Sequence, residues 1–344
     1  MIRAILLVIV GILFLPSGEA LGQMKRKNIK RNNRSMAAYR GQRFDFKNKV
    51  YNSIGISLNS FNYYGDLAPL AKTISTDLSL TKPAIGVSFT HRFGPRYQVT
   101  GSFTYGGIQG SDNESADPTD KTAVYRYVRN LSFRNRITEF SAVAVIDLFK
   151  NEQTYLRRVP WTPYAYGGIA VFKHNPQAQV PDTNLQGLAF SNAGEWVDLQ
   201  PLETEGKSYS LIQFALPLGI GARFRLMDVM DIAFEWGMRY TFTDYLDDVS
   251  GSYIDLNTFG NNELAKALSY RSNEVPSGVN SRVDEIIANR YTGYSGFTTV
   301  AGYGHVPNNG TTNLRGKDGN DAYMVTTLRV TYILGKSFNR AKFR

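Results

Sequence analysis

The sequence predicts an all-β chain, an eight-stranded antiparallel transmembrane barrel of the outer-membrane type with short periplasmic turns and long extracellular loops. Three observations predict it. Apolar residues alternate with small or polar ones in segment after segment, the connections between segments alternate long and short, and beyond the N-terminus no segment is apolar enough for a membrane helix. Asp231 to Thr243 shows the alternation best: Ile232, Phe234, Trp236, Met238, Tyr240 and Phe242 share one face, and Ala233, Glu235, Gly237, Arg239, Thr241 and Thr243 the other. In a soluble sheet the greasy face would pack on a core. In a membrane barrel it meets lipid, and the small or charged face fills the lumen.

The other strands follow in chain order. The first is Ser53 to Asn62, with Ile54, Ile56 and Leu58 on one face. The second is Ala84 to Phe93 (Ile85, Val87, Phe89) and the third Tyr97 to Tyr105 (Val99, Phe103, Tyr105). The fourth sets Phe140, Ala142, Ala144, Ile146 and Leu148 against Glu139, Ser141 and Asp147. The fifth, Tyr164 to Phe172, has ambiguous faces. The sixth sets Ile212, Phe214, Leu216, Leu218, Ile220, Ala222 and Phe224 against Gln213, Gly219, Gly221, Arg223 and Arg225, with Pro217 counting against a regular ladder. The seventh is the segment above, and the eighth runs from Tyr323 to Leu334.

The connections decide between the two sheet readings. Asp66–Thr81, Gln109–Asn130, Lys173–Tyr209 and Asp244–Asp321 are long, while Gly94–Arg96, Lys150–Pro160 and Met227–Met230 are shorter. With both termini in the periplasm, an even-stranded barrel puts the long set outside. A soluble sandwich has no reason to sort its loops in this way. The lumen face then carries Arg92, Glu139, Arg223, Arg225, Glu235, Arg239 and Arg329, and an eight-stranded interior requires these charges to pair.

The chain opens MIRAILLVIVGILFLPSGEALGQ, with Arg3, an apolar run from Ala4 to Leu15 and small residues at Ala20–Gly22, which reads as a signal peptide over residues 1–22. Residues 23–50 form a basic periplasmic leader, 51–335 the barrel with a large outer loop at 244–321, and 336–344 a basic tail. Cysteine is absent, which excludes disulfides, thiol chemistry and lipoprotein acylation. The net charge of +10 concentrates in the leader, where Lys25, Arg26, Lys27, Lys30, Arg31, Arg34, Arg40, Arg43, Lys47 and Lys49 face Asp45 alone. A secreted chain has little occasion to meet nucleic acid. The leader is either a solvated arm or a contact for anionic headgroups or an acidic envelope partner. Lys150, Arg157 and Arg158 in a short connection and Lys336, Arg340, Lys342 and Arg344 in the tail extend that basic rim; lipid is the barrel's remaining partner.

Catalytic chemistry finds little support. A hydrolase needs His beside Ser and an orienting carboxylate. His91 and Ser88 have opposite parity, there is no G-x-S-x-G, and His174 and His305 fall in long connections. Asp244, Asp247 and Asp248 could gather round a cation, but their spacing is not that of an EF-hand. The default for them is a solvated loop start with Tyr245 in an aromatic girdle. Gly106-Gly107 and Gly167-Gly168 lack a following helix, so they mark strand bends rather than phosphate loops. No motif calls for a catalytic residue, a metal or a cofactor, and bulky lumen charges argue against an open pore.

Three stretches go beyond pattern: SIGISLNSFNYYGDLAP (Ser53 to Pro69), YAYGGIAVFKHNPQA (Tyr164 to Ala178) and FEWGMRYTFTDYLDDVSGSY (Phe234 to Tyr253). They resemble a PorG-like family of Bacteroidota outer-membrane barrels associated with type IX secretion. FALPLGIGARFRL is similar to that family too, which makes Pro217 a family feature. The resemblance runs from about Tyr51 to Leu334, and its motif residues are Asn62, Tyr63, Gly65, Asp66, Asp244, Tyr245, Asp247 and Asp248. It implies an outer-membrane protein without enzymatic activity, associated with a periplasmic PorK–PorN-like ring. A stand-alone surface barrel whose loops bind a ligand or mediate adhesion, and a small pore, are the alternative expectations.

Overall fold

A computed structural model describes residues 50–68, 80–293, 296–304 and 313–334. The signal peptide, the leader from Lys25 to Lys49, His305 and the basic tail fall outside these residues.

Eight long strands form the wall: β1 (Tyr51–Tyr64), β2 (Lys82–Arg92), β3 (Tyr97–Ser111), β4 (Ser132–Asp147), β5 (Trp161–Lys173), β8 (Ile212–Met227), β9 (Met230–Thr241) and β12 (Ala322–Leu334). Each pairs antiparallel with its neighbour. The β1–β12 ladder, from Asn52↔Leu334 to Tyr64↔Ala322, closes the cylinder. Two short strands, β6 (Pro176–Gln179) and β7 (Trp196–Asp198), continue the sheet beside upper β4, and β10 (Arg290–Thr292) with β11 (Thr298–Val300) makes a separate hairpin.

The alternation settles which face is which. Along β9, Asp231, Ala233, Glu235, Gly237, Arg239 and Thr241 are buried, while Phe234, Trp236 and Tyr240 are exposed. Ile56 (68% exposed), Leu58 (66%), Phe140 (63%) and Ile169 (64%) join them in a continuous apolar collar. A collar of this size would drive aggregation in water, so it is the lipid-facing wall of a membrane barrel. No helix among the described residues is long and apolar enough to cross a membrane.

The β5 faces, unreadable in the sequence, resolve here. Thr162, Tyr164, Tyr166, Ala170 and Phe172 point inward, and Ala165, Ile169 and Val171 outward. The large inward rings fit because small residues stand opposite them. A Cβ on Gly237 would lie 2.2 Å from the Tyr166 hydroxyl, and one on Gly221 would lie 2.6 Å from the Tyr164 ring. Pro217 lies within β8 without ending it: the β5–β8 register runs to Gly167↔Leu218 and resumes at Ala170↔Ala215. At Gly168, opposite this gap, a Cβ would meet the Ala142 carbonyl at 2.1 Å, so the strands approach more closely than a side chain permits.

β3 and β4 exceed their expected lengths, at 15 and 16 residues. A tilted membrane strand needs about 9–11 residues, so both project well beyond the bilayer. The described parts of the long connections emerge at that end and fold together. They contain α1 (Asp112–Ser115), α2 (Val124–Arg129), α3 (Glu263–Ser269) and α4 (Ser281–Ala288). Asn262 and Asn280 cap the last two helices by accepting from the Ala265 and Val283 amides, at 3.1 and 2.8 Å. Val124, Val128, Tyr253, Leu256, Tyr270, Val283, Val300 and Tyr303 form an apolar core among these loops. The chain is thus a barrel plus a folded, partly helical cap, where the sequence suggested strands and loops alone.

Candidate functional site

The lumen holds charges in three tiers. Between β4 and β9, Glu139 accepts from Arg239 Nε at 3.2 Å and from the Tyr323 hydroxyl at 2.6 Å. Next, Glu235 accepts from Arg329 Nη2 at 2.9 Å and the Tyr164 hydroxyl at 2.7 Å. At the short-turn end Asp147 takes Arg92 at 2.7 Å, Arg223 at 3.4 Å and the Gln98 amide at 3.1 Å. Arg92 also donates to the Gly94 and Pro95 carbonyls, fixing the tight turn. The pairing that burial demands is therefore met for six of the seven expected charges. The exception is Arg225. It has inward parity but lies beside a register shift at the rim, where its side chain is 34% exposed and 3.9 Å from Asp228.

Arg158 requires a further correction. Expected on an accessible basic rim, it is buried, ion-paired to Asp231 at 2.7 Å, and donates to the Tyr155, Met227 and Asp228 carbonyls. It closes the short-turn end of the lumen, with all four of its Nη protons engaged there. The void among Arg92, Asp147, Arg158, Arg223 and Asp231 is about 10 Å³, room for a single water at most. Arg157 is exposed. Lys25, Arg26, Lys27, Lys30, Arg31 and Arg34 fall outside the described residues.

Above the tiers the lumen turns apolar: Phe61, Leu67, Ile108, Phe133, Ile137, Phe172, Leu246, Tyr323 and Val325 pack into a plug. On this plug the motif residues converge. The Tyr63 hydroxyl lies 2.6 Å from Asp247 Oδ2 and 2.9 Å from Asp321 Oδ1. A phenol has one proton to give, so this arrangement is satisfied when one carboxyl is protonated and donates back to the phenol oxygen. Burial, and for Asp321 the neighbouring Asp247 charge, push both carboxyls well above the usual range. Their other oxygens accept from the Val249 and Leu246 amides, both at 2.9 Å. Gly65 leaves the space, since a Cβ there would lie 1.9 Å from both Tyr63 Oη and Asp321 Oδ1.

The remaining motif side chains fasten the connections, within one loop or from one loop to another. Asn62 donates to the Thr81 hydroxyl at 2.6 Å, Asp66 accepts from the Lys317 amide at 2.8 Å, and Asp244 from the Gly319 amide at 3.2 Å. Asp248, held at φ 67°, accepts from the Thr204 hydroxyl and from the Tyr209 hydroxyl at 2.6 Å. Burial raises its carboxyl to about 6 despite the opposing charge of Arg315. Asp244 is likewise pushed up to about 6 by burial. Tyr245 is stacked on Tyr209 at 4.6 Å instead of anchoring a girdle. Asp247 and Asp248 are buried, which replaces the expected solvated loop start, and no metal-binding group of carboxylates or histidines forms among the described residues.

Several latch residues carried no sequence signal. Arg129 grips Asp112 through Nε at 2.7 Å and Nη2 at 2.8 Å, and donates to the carbonyls of Asp66 and Arg315. Arg315 pairs with Glu205 at 3.0 Å, and Glu205 accepts from the Ser250 and Gly251 amides. His174, expected in a loop, is fully buried. Its Nε2 faces the Ser210 carbonyl at 3.2 Å and so carries the proton, leaving Nδ1 to accept from Asn135 at 3.3 Å. Burial holds its pKa down at about 4. His91 and Ser88 do lie on opposite faces, His91 bonding Asn52 across the strand pair.

Residues 42–267, from ahead of the first strand into α3, match the family described as Domain of unknown function (DUF6089). The chain belongs to that family. No curated protein matches it. Among solved structures it is similar to the attachment invasion locus protein Ail of Yersinia pestis, at 10% identity over 83% of this chain and 99% of that one, with a TM-score of 0.33. It is similar to OprG from Pseudomonas aeruginosa at 6% identity over 84% and 98%, TM-score 0.36. Neisserial surface protein A aligns at 8% identity over 82% and 96%, TM-score 0.32.

Proposed function

We propose that this protein is a non-enzymatic barrel of a bacterial outer membrane, with its termini in the periplasm and its cap outside, serving as a structural or anchoring component of an envelope assembly. The observation that carries this is the filled lumen: three ion-paired tiers below and an apolar plug above leave the chain its outer surfaces to work with. The PorG-like resemblance of its motif residues supports type IX secretion as that assembly and a PorK–PorN-like ring as the periplasmic partner. The contact then falls to Lys25, Arg26, Lys27, Lys30, Arg31 and Arg34, with exposed Arg157, and not to Arg158. Affinity purification of the full chain with wild-type or charge-reversed Lys25–Lys49 tests it. The ring proteins should co-purify with the wild type and fall away on charge reversal and at raised salt; undiminished recovery in both cases rules the contact out.

The second reading, a stand-alone surface barrel that binds a ligand or adheres, has one observation in its favour. The cap carries a groove of about 770 Å³ bordered by Tyr125, Ile286, Tyr303 and Leu314. Gene deletion separates the two: lost cargo secretion supports the machine component, and normal secretion with altered adhesion supports the surface barrel. A small pore requires single-channel conductance in planar bilayers, which the tiers oppose.

A further inference from the structure

The lipid-facing wall changes character where β3, β4 and β5 leave the apolar collar. Travelling outward on β4, Phe140 is followed on the same face by Thr138, Arg136 and Arg134; on β5, Ile169 and Val171 are followed by Lys173. The register sets Lys173 beside Thr138, and Arg136 one outward position further along. That makes Arg136 and Lys173 diagonal neighbours about 7–8 Å apart, with Arg134 about 7 Å beyond Arg136 along the strand. Three cations thus form a triangle directly above Phe103, Phe140 and Ile169.

These cations are free to bind an anion. Among the described residues neither Arg136 nor Lys173 enters an ion pair. Arg134 is held in place by donating to Gln177 at 2.9 Å and by stacking on Trp196 with its guanidinium carbon 4.0 Å from the ring centre. The nearby carboxylate, Asp198 on β7, is occupied by the side-chain amides of Asn175 and Gln177. Arg134 and Arg136, together with Lys82 of β2, border a groove of about 610 Å³ floored by Gly106 and Gly107 and walled by Tyr105 and Trp196, and Lys173 stands beside it on the other flank of β4. Around the rest of the rim, the outward residues at this height are Tyr64, Phe214, Tyr240 and Phe242, an uncharged aromatic belt. The cations, Lys82 included, are therefore local to β2–β5 and not a feature of the whole girdle.

We infer that this groove and the adjoining Lys173 bind the phosphate-bearing headgroup of a lipid in the leaflet on the cap side, Arg134, Arg136 and Lys173 gripping phosphate while acyl chains lie on Phe103, Phe140 and Ile169. Guanidinium forks match phosphate oxygens bidentately, and the collar below supplies what a free anion cannot use. The inference goes beyond the anchoring role and needs no secretion partner, so the two fail separately.

Native mass spectrometry of the detergent-solubilised full chain, titrated with diphosphoryl lipid A or with its dephosphorylated form, tests it. The wild type should retain the phosphorylated lipid at least tenfold more strongly. Arg134→Gln/Arg136→Gln/Lys173→Gln should lose that preference, while Arg136→Gln alone weakens it two- to fourfold. All three side chains point out of the wall, so the variants should keep the heat-dependent gel shift of a closed barrel. Millimolar inorganic phosphate should not displace the lipid. Equal retention of both lipids, an unchanged triple variant, or full displacement by inorganic phosphate would each overturn the proposal.

Discussion

Replacing Tyr63 by Phe removes one oxygen and leaves the packing intact, which makes it a sharp probe of how the cap is held. The hydroxyl reaches Asp247 at 2.6 Å and Asp321 at 2.9 Å, and all three groups are buried. A hydrogen bond to a charged acceptor contributes about 1.5–3 kcal/mol and a neutral one about 1 kcal/mol. Losing both should cost roughly 3 kcal/mol, a factor of about 100 in the cap's opening constant. The loss is local, because Asp247 and Asp321 belong to the loops while the wall keeps its complete ladder. Hydrogen exchange in lipid nanodiscs should show amides around Leu256, Leu268 and Val283 exchanging about 100-fold faster in Tyr63→Phe, those of β9 being unaffected. If cap exchange is unchanged, the Tyr63 bridge does not hold the cap; if the barrel amides accelerate equally, cap and wall do not open separately, and the reasoning fails either way.

Two further outcomes are expected. Arg239→Met strands Glu139 with the Tyr323 hydroxyl and should destabilise the barrel by about 3–5 kcal/mol in reversible urea unfolding from vesicles, while Glu139→Gln/Arg239→Met should recover most of that loss; a double variant no better than the single one would sink the pairing argument. The cap's pH response should be split between a buried histidine and opposing raised carboxyls, of which Asp248 and Asp244 titrate near 6. His174, held at about 4, contributes stability that is complete above its ordinary pKa of about 6.5 and is lost as pH falls toward 4. Asp248, raised to about 6, does the reverse: its contribution is complete below the ordinary Asp range and is lost as pH rises through 6. Between pH 7.5 and 5 the His174 and Asp248 contributions roughly offset, and Asp244 adds to the Asp248 side. His174→Gln, which preserves the donor to the Ser210 carbonyl, removes the acid-labile half. Its cap should become about fivefold or more better protected at pH 5 than at 7.5, from about 1 kcal/mol of Asp248 linkage; protection falling with pH in that variant would contradict the assignment.

How far the sequence disclosed this architecture depends on the range of each interaction. Alternation is a property of adjacent residues, so β9 and β1 were legible almost residue by residue, and loop lengths revealed which end was elaborated. β5 was not, because lumenal glycines on β8 and β9 let Tyr164 and Tyr166 point inward, which leaves both faces apolar. The lumen charges were visible as a set through their parity, but their partners were not: nothing within one strand ties Arg239 to Glu139 or Arg329 to Glu235, and Arg158 and Asp231 were outside the set altogether. Arg225 shows the limit of parity, which cannot tell a lumen from a rim. The cap was hidden most completely. Its core draws single apolar residues from several loops at no fixed spacing, and Tyr63 lies 184 positions from Asp247. The family resemblance picked out Tyr63, Gly65, Asp66 and Asp247 without revealing that they meet.

That meeting place bears on the order in which the molecule is made. Tyr63 lies near the end of the first wall strand, and Asp321 immediately precedes the last. Their bond therefore spans the β1–β12 closure and cannot form while the sheet is still open. Asp247, contributed by the loop between them, completes the bridge. The cap's lock is thus also a record of completion: a chain whose first and last strands have not met lacks the lock and presents a loosened outer surface. Surveillance that recognises unfolded loops would then distinguish an unfinished barrel from a finished one by its exterior alone.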